Sequence, residues 1–568
     1  MGILGWMMRG KKLDYLVGLV AVLAFFLLLF ENSGFFAPYS SLILKFNLIV
    51  LAIFIADVLL GFMVSSDKLT HIKRNWFNLI VFVPLIQFIH GVQDRPFFAV
   101  TMQLAVIARL VSRTRRAQRF IALLGLRPAQ LMLASFAVAI GFGAMLLMLP
   151  MATTTGARID LTDALFTATS AACVTGLIVF DTGTYFSLFG QLVILSLIQI
   201  GALGIMTFSV LLTIFLGKGM TFRQQLAMRD VLDQEMLGDV RRLITFIIKM
   251  TMGFEAVGCL ILFFGWSKHS HSLALTLYQA LFHAISAFCN AGFSLFSDSL
   301  IRFADDPLTN GTVAVLIISG GLGFMVMRDL LRGAEQTLRA GGSRRYRLRI
   351  QTRIVLSVSA LLVLFGAALL YGVEQNNAFA PERAGTRILL SVFQSVTART
   401  AGFNTCDISA LSASSALFII LLMFVGASPG STGGGIKTTT VSVLWATILS
   451  GFRQKENVEV LRRTIPPETI RKAITLLISS MVLVFAFAEV LLYTEKAPFA
   501  DVLFETVSAF GTVGLSRGIT SALTTQGKLC ITFLMFAGRL GPLTMAYSFL
   551  VYRKRARYSY PEERVMIG

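Results

Sequence analysis

Four short segments of this chain are near copies of one another, and each centres on a glycine. They read Ser170-Ala171-Ala172-Cys173-Val174-Thr175-Gly176-Leu177, Ser286-Ala287-Phe288-Cys289-Asn290-Ala291-Gly292-Phe293, Val396-Thr397-Ala398-Arg399-Thr400-Ala401-Gly402-Phe403 and Ser508-Ala509-Phe510-Gly511-Thr512-Val513-Gly514-Leu515. Their glycines stand 116, 110 and 112 residues apart, which is a repeat period. A ring of backbone carbonyls can replace the hydration shell of a cation. Aiming successive carbonyls at one axis needs dihedrals that glycine adopts at little cost. The candidate coordinating residues are therefore Val174, Thr175 and Gly176; Asn290, Ala291 and Gly292; Thr400, Ala401 and Gly402; and Thr512, Val513 and Gly514. One such glycine alone would read as a turn or a helix-packing residue. Four in matched context, at one period, point to four hairpins around one axis, the plan of a cation pore.

Such hairpins need a membrane, and composition supplies one. Hydrophobic residues make up 55% of the chain and charged residues 14%, with a mean hydropathy of +0.75, beyond the usual range of soluble domains. Apolar runs of about 20 residues recur from end to end. Each repeat is expected as outer helix, pore helix, filter strand and inner helix. Outer helices are predicted near 129–149, 243–265, 353–373 and 473–494, and inner helices near 188–216, 311–331, 414–449 and 526–550. The fold class is an all-α integral membrane protein, with four repeats about one pseudo-four-fold axis. Residues 129–568 form that unit; residues 1–128 carry four further apolar segments, near 13–30, 43–64, 76–90 and 97–111. The first, behind Arg9, Lys11 and Lys12, reads as a retained helix, not a cleaved leader.

The net charge of +20 does not point to nucleic acid, because the basic residues fall in alternate loops. Arg328 to Arg353 holds eight arginines and Arg553 to Arg564 five basic residues, whereas intervening loops carry Asp160, Asp163, Asp298, Asp305, Asp306 and Glu382. This bias places both termini on the cytoplasmic side of the cell membrane. The five cysteines lack zinc or disulfide spacing, and the five histidines show no metal spacing; His283 reads as a packing residue on a pore helix. No Walker, HExxH or GxSxG motif supports an enzyme.

The third inner helix is interrupted by Gly426-Ala427-Ser428-Pro429-Gly430-Ser431-Thr432-Gly433-Gly434-Gly435-Ile436-Lys437. So many glycines with a proline cannot hold a straight helix. Irregular backbone at membrane depth survives only when buried in protein or lining a wet cavity. Gly426, Ser428, Pro429, Gly430, Gly433, Gly434, Gly435 and Lys437 are thus candidate gate-loop residues below the filter. Arg539, inside the fourth inner helix, is the candidate latch, since a charge there normally faces the interior with a partner. The plainer readings are snorkelling for Lys437 and a structural pair for Arg539. Glu505 and Asp163, beside pore helices, either concentrate cations at the mouth or are ordinary loop charges.

The four segments, the phrase Ile198-Gln199-Ile200-Gly201-Ala202-Leu203-Gly204, the glycine-rich break and the ending Tyr560 to Gly568 together resemble the membrane subunit of Trk/Ktr/HKT potassium transporters, nearest the KtrB/TrkH type. The resemblance covers about 129–568. It implies potassium uptake, K+ held by filter backbone carbonyls, and a homodimer with one pore per protomer in membrane lipid. It also implies control by a cytosolic ring of RCK-type nucleotide-binding subunits (KtrA/TrkA type), so that nucleotide enters only through a partner. Relatives with serine in the first filter tend toward sodium; Gly176 here favours potassium. A secondary symporter coupling K+ to Na+ or H+ remains the alternative.

Residues 1–128 depart from a typical KtrB. Asp57, the Lys68 to Phe77 stretch and Asn75-Trp76-Phe77-Asn78-Leu79-Ile80 are similar to voltage-sensor helices, and Arg113, Arg116 and Arg119 are spaced by three. A basic cytoplasmic cap, a working sensor and an assembly role are the readings of that segment.

Overall fold

The computed structural model describes residues 49–56, 58, 62, 82–84, 128–204, 240–268, 272–339, 346–549, 561 and 563. Contacts divide the chain into two compact units, Met1–Leu126 and Arg127–Gly568. In the first, residues 49–56 and 82–84 are helical; Asp57, the Lys68 to Phe77 stretch, Arg113, Arg116 and Arg119 lie outside the described residues. The same holds for most of the basic tail.

The second unit is helical and repeats one plan four times. Its outer helices are α1 (Pro128–Leu147), α4 (Val240–Ser267), α8 (Ile350–Glu374) and α12 (Pro467–Thr494). Each is followed by a short helix: α2 (Leu161–Cys173), α5 (Leu273–Cys289), α9 (Ala384–Thr397) and α13 (Phe499–Gly511). A glycine-containing turn and then an inner helix follow: α3 (Leu188–Ala202), α6 (Pro307–Leu322), α10 (Ala413–Phe424) and α14 (Thr525–Leu540). Ile244–Ser267, Ile350–Glu374 and Pro467–Thr494 are each long and apolar enough to cross a membrane. A crossing needs about 20 residues, a length that the short helices, of 13 to 17 residues, do not reach. A two-residue hairpin, β1 (Glu459–Val460) with β2 (Arg463–Thr464), interrupts the helical plan; its turn residues Leu461 and Arg462 both have positive φ.

Local sequence explains the helix starts. Ser187, Ser412 and Thr524 cap α3, α10 and α14 by accepting the amides of Gly190, Ser415 and Gly527 at 3.2–3.3 Å. Asp306 caps α6 by accepting from Leu308 and Thr309. Each cap satisfies an amide that the first helical turn leaves unpaired.

The inner helices correct the sequence-based expectation. Continuous helices were predicted in three repeats and a break only in the third; the second and fourth break too, and in the first the described helix α3 ends at Ala202. α6 bends by 103° into α7 (Phe324–Arg339) at Gly323, φ +89°. α14 stops at Gly541, φ +81°, ahead of Pro542, before α15 (Pro542–Phe549). Gly204 also has positive φ, +76°. In each of these three repeats a Gly-x-x-Gly phrase stands where the described helix ends, and its second glycine adopts the left-handed backbone that other residues resist. Gly201, Gly320 and Gly538, the first glycines, lie so close to the carbonyls of Ala172, Phe288 and Phe510 that a Cβ would overlap them. In the third repeat α10 gives way to the loop, which hands on to α11 (Thr438–Phe452).

Packing makes the repeats a closed cycle. α3 packs on α5, α6 on α9, α10 on α13, and α14 returns to α2. The core sits in these junctions, where each short helix contributes a phenylalanine at the matching position, Phe166, Phe282, Phe393 and Phe504, at most 1% exposed.

Candidate functional site: the four-glycine ring and the loop beside it

In three repeats the short helix ends on a left-handed residue that is not glycine: Val174 (φ +58°), Asn290 (φ +60°) and Thr512 (φ +51°). Left-handed backbone is uncommon for any non-glycine residue and a genuine outlier for a β-branched one. It costs about 1–3 kcal/mol and persists only where surroundings over-determine it. Here two amides hold it in each case: in the first repeat Val174 N–H donates to Ala171 O at 3.1 Å and Thr175 N–H to Ser170 O at 2.8 Å. The third repeat is built differently. Its turn is one residue shorter, because Thr397 takes the place of the serine at Ser286: Ala401 N–H donates to Thr397 O at 2.9 Å, and the strained residue is Thr400, φ +105°. Aligning Val396 with Ser286, as the sequence suggests, is therefore off by one.

Beyond these turns the four segments converge. A Cβ on Gly176 would lie 2.5 Å from Ala291 O and 3.1 Å from Gly292 Cα; one on Gly292, 2.5 Å from Ala401 O and 3.2 Å from Gly402 Cα. Gly402 faces Val513 O and Gly514 Cα, and Gly514 faces Thr175 O and Gly176 Cα. The order is cyclic and closes. Four glycines thus sit in mutual van der Waals contact, each beside the carbonyl that precedes its neighbour. All four have φ between +70° and +93°. Val174, Thr175, Asn290, Ala291, Thr400, Ala401, Thr512 and Val513 are wholly buried around them. One serine or threonine per repeat ties each segment to its short helix. Ser170 and Ser508 accept the amides of Gly176 and Gly514 at 3.1 Å, while Ser286 and Thr397 donate to Phe293 O and Phe403 O at 2.8 and 2.9 Å.

The glycine-rich loop lies on the short-helix side of this ring. Gly434 N–H donates to Thr512 Oγ1 at 2.9 Å, and Gly433 leaves no room for a Cβ against Thr400. Ser428 N–H donates to Gly321 O at 3.0 Å, Thr432 N–H to Gly320 O at 3.2 Å, and Gly430 O accepts from Phe324 N–H at 3.0 Å. The loop therefore docks on the break of the second inner helix, with Pro429 and Gly430 against Gly323. Gly426 and Gly435 pack on each other at its neck. Ser428 and Thr438 share a hydrogen bond of 3.1 Å. Asn290, with its amide oriented to satisfy its neighbours, accepts from Thr400 Oγ1 at 2.9 Å and donates to Ala287 O and Ile317 O at 3.1 Å.

Two cations close the arrangement. Arg539, from the fourth inner helix, donates through its two terminal nitrogens to Thr432 O of the loop and Gly201 O of the first inner helix. Lys437 Nζ donates to Gly433 O at 2.7 Å and Gly434 O at 3.4 Å. Three successive loop carbonyls are thus held by fixed positive charge.

The acidic residues near the short helices are placed otherwise than a mouth charge requires. Asp163 pairs with Lys528 at 2.7 Å, and Glu505 is fully buried, accepting from Ser516 Oγ at 2.8 Å and from Thr520. Asp298 sits in the loop after the second segment; its hydrogen bonds from the Arg302 guanidinium hold its carboxyl below the ordinary range. His283 is buried on α5, its ring stacked on Phe296 at 4.7 Å. Sequence reading missed Lys528 and the serine ties; the serines recur six residues before three of the glycines, a signal that was legible.

A family profile described as "Cation transport protein" (TrkH) matches residues 103–559. The chain is 39% identical over 453 residues to the Ktr system potassium uptake protein B of Bacillus subtilis (78% of this chain, 97% of that protein). It is 40% identical over 427 residues to the Ktr system potassium uptake protein B of Vibrio alginolyticus (75% and 91%). It is 37% identical over 456 residues to the potassium/sodium uptake protein NtpJ of Enterococcus hirae (78% and 98%). In fold it is similar to the potassium transporter TrkH of Vibrio parahaemolyticus, with a TM-score of 0.63, 16% identity, and coverage of 85% of this chain and 97% of that one.

Proposed function

We propose, from the premise that this chain belongs to the TrkH family of cation transport proteins, that it takes up potassium through a channel-like pore along the axis of the four-glycine ring. The closed cycle of glycine contacts carries this reading. It supports a filter in which K+ is held by the carbonyls of Val174, Thr175, Gly176, Asn290, Ala291, Gly292, Thr400, Ala401, Gly402, Thr512, Val513 and Gly514. Backbone carbonyls suit an ion that must shed and regain water quickly. Because each glycine abuts the next repeat's carbonyl, the aperture is set by four segments jointly, and no one segment can shift alone. The related proteins' names, potassium uptake and potassium/sodium uptake, support K+ as the transported ion.

The Gly426 to Lys437 loop is the gate in this reading. It presents polar backbone below the filter, in contact with Thr400 and Thr512, and cannot pack as helix. Arg539 is its latch: one guanidinium joins loop and first inner helix, and releasing Thr432 O would free the loop without touching the filter. Lys437 adds positive charge where an entering cation must pass, opposing occupancy while the loop is in place. The protein is read as a homodimer in the cytoplasmic membrane with both termini inside. A cytosolic RCK-type nucleotide-binding ring docks on its basic loops; two related proteins carry Ktr system names, which supports a multisubunit assembly.

Current through the purified protein in liposomes tests the reading. A reversal potential at the potassium Nernst value, indifferent to sodium and proton gradients, is expected. A reversal potential displaced by either gradient would establish coupled symport and overturn the channel mechanism.

A further inference from the structure

The residue immediately after the buried phenylalanine of each short helix is Thr167, His283, Gln394 or Glu505. Three of these four reach past the ring. His283 Nε2 lies 2.9 Å from Ser294 Oγ, two residues beyond Gly292. Gln394 Nε2 donates to Thr405 Oγ1 at 3.3 Å, three residues beyond Gly402. Glu505 accepts from Ser516 Oγ at 2.8 Å, two residues beyond Gly514. His283 Nδ1 faces Gln279 O at 2.7 Å, so this nitrogen carries the proton and Nε2 accepts from the serine. All three side chains are at most 1% exposed, as is Thr405. Ser294 and Ser516 also accept the amides of Phe296 and Gly518 at 3.0 Å, which fixes the exit turn of each segment.

The first repeat lacks this tie. Thr167 is 2% exposed and its hydroxyl has no hydrogen-bond partner among the described residues. The position two residues beyond Gly176 is Ile178, an apolar side chain that is 38% exposed. There Ser170, holding the Gly176 amide, is the side-chain tie between short helix and ring segment. The fourth repeat has the matching Ser508 tie to Gly514, at the same 3.1 Å, and the Glu505–Ser516 tie besides.

We propose that His283, Gln394 and Glu505 are positioning residues. Each anchors the outer end of one filter segment to its own pore helix, and the first repeat, without such an anchor, is the compliant side of the ring. His283, Gln394 and Glu505 are themselves buried, so each lost partner strands a buried polar group and the segment shifts to satisfy it. Because the ring is closed, a shift in one segment passes to the neighbouring carbonyl. The inference rests on reading the ring as the ion path.

Potassium and sodium permeability, and half-saturating K+, are measured for the full chain in liposomes, with thermal melting of each purified variant as a fold check. Potassium current through the wild-type chain tests the pore reading by itself, independently of every variant. Glu505→Ala and Ser516→Ala should each lower K+/Na+ selectivity about tenfold, the size of one lost hydrogen bond. Combining them should add little, and Glu505→Gln, which can still pair with both hydroxyls, should restore most of the selectivity. Thr167→Ala should leave selectivity unchanged. Ser170→Ala should cost more selectivity than Ser508→Ala, although the two serines make the same bond. Variants of Glu505, Gln394 and His283 that melt earlier yet keep wild-type selectivity and half-saturation would reduce these residues to packing roles. Equal losses in Ser170→Ala and Ser508→Ala would overturn the compliant first repeat.

Discussion

Replacing Gly176 with serine tests the filter most directly. Gly176 has φ +92°, and the added Cβ would stand 2.5 Å from Ala291 O and 3.1 Å from Gly292 Cα. Left-handed backbone costs a serine about 1–3 kcal/mol. The oxygen must also recede from 2.5 Å to at least 3.0 Å, half an ångström, because real Cβ contacts do not come closer. Overpacking of this kind costs a further 1–3 kcal/mol or so. Neither cost is confined to one residue, since Ala291 precedes Gly292, which itself abuts Ala401 O and Gly402 Cα. The displacement therefore changes the ring's aperture. If a third of the combined strain, about 1.4 kcal/mol, falls on the difference between K+ and Na+ coordination, selectivity drops about tenfold. Bi-ionic reversal potentials in liposomes measure that ratio. The control is Gly141→Ala, where a Cβ meets nothing within 4 Å and helix propensity predicts a gain of up to about 1 kcal/mol. Wild-type selectivity and uptake in both Gly176→Ser and Gly402→Ser would refute the filter assignment.

Arg539→Ala, or deletion of several residues between Gly426 and Gly435, should raise K+ flux about tenfold if the latch bonds favour the closed loop by roughly 1.4 kcal/mol. Selectivity over Na+ should persist, and a well-inserted loop deletion with unchanged flux would end the gate reading. Lys528→Met should destabilise the protein by about 3 kcal/mol, read as an earlier melt, because Asp163 is left buried and unpaired. The double variant with Asp163→Asn should recover part of that loss, and no recovery would mean the pair is not what holds these helices. Gly538→Ala should cost more than about 3 kcal/mol, since the new methyl overlaps Phe510 O where α14 crosses α13; a normal melt would show that this contact relaxes freely. Native-membrane purification should bring down a nucleotide-binding partner, and nucleotide-independent gating with no such partner would exclude the ring.

Much of this protein was determined by its sequence alone. Long apolar runs at a period near 112 residues, each interrupted by a short helix and a glycine, leave few alternatives in a membrane, because unpaired backbone is excluded from lipid. The glycines at 176, 292, 402 and 514 were legible for the same reason: few other residues adopt their dihedrals. The Gly426 to Lys437 break was legible because helix cannot persist through it. What sequence left open was everything settled by contact between distant repeats. Whether Asp163 and Glu505 face solvent depended on Lys528, Ser516 and Thr520, and the chain brings Lys528 to Asp163 across 365 positions. The breaks at Gly323 and Gly541 look like ordinary small residues until a bend is seen, since glycine is tolerated in membrane helices and only a positive φ distinguishes the two uses. The one-residue shortening at Thr397 was hidden because the glycine, not the cap, anchors the alignment by eye. Closure of the ring, with α14 returning to α2 and Gly514 to Gly176, is a property of packing. The repeat period pointed to a common axis, but no local pattern fixes which helices and glycines meet, because each repeat sees its neighbour only after all four have folded.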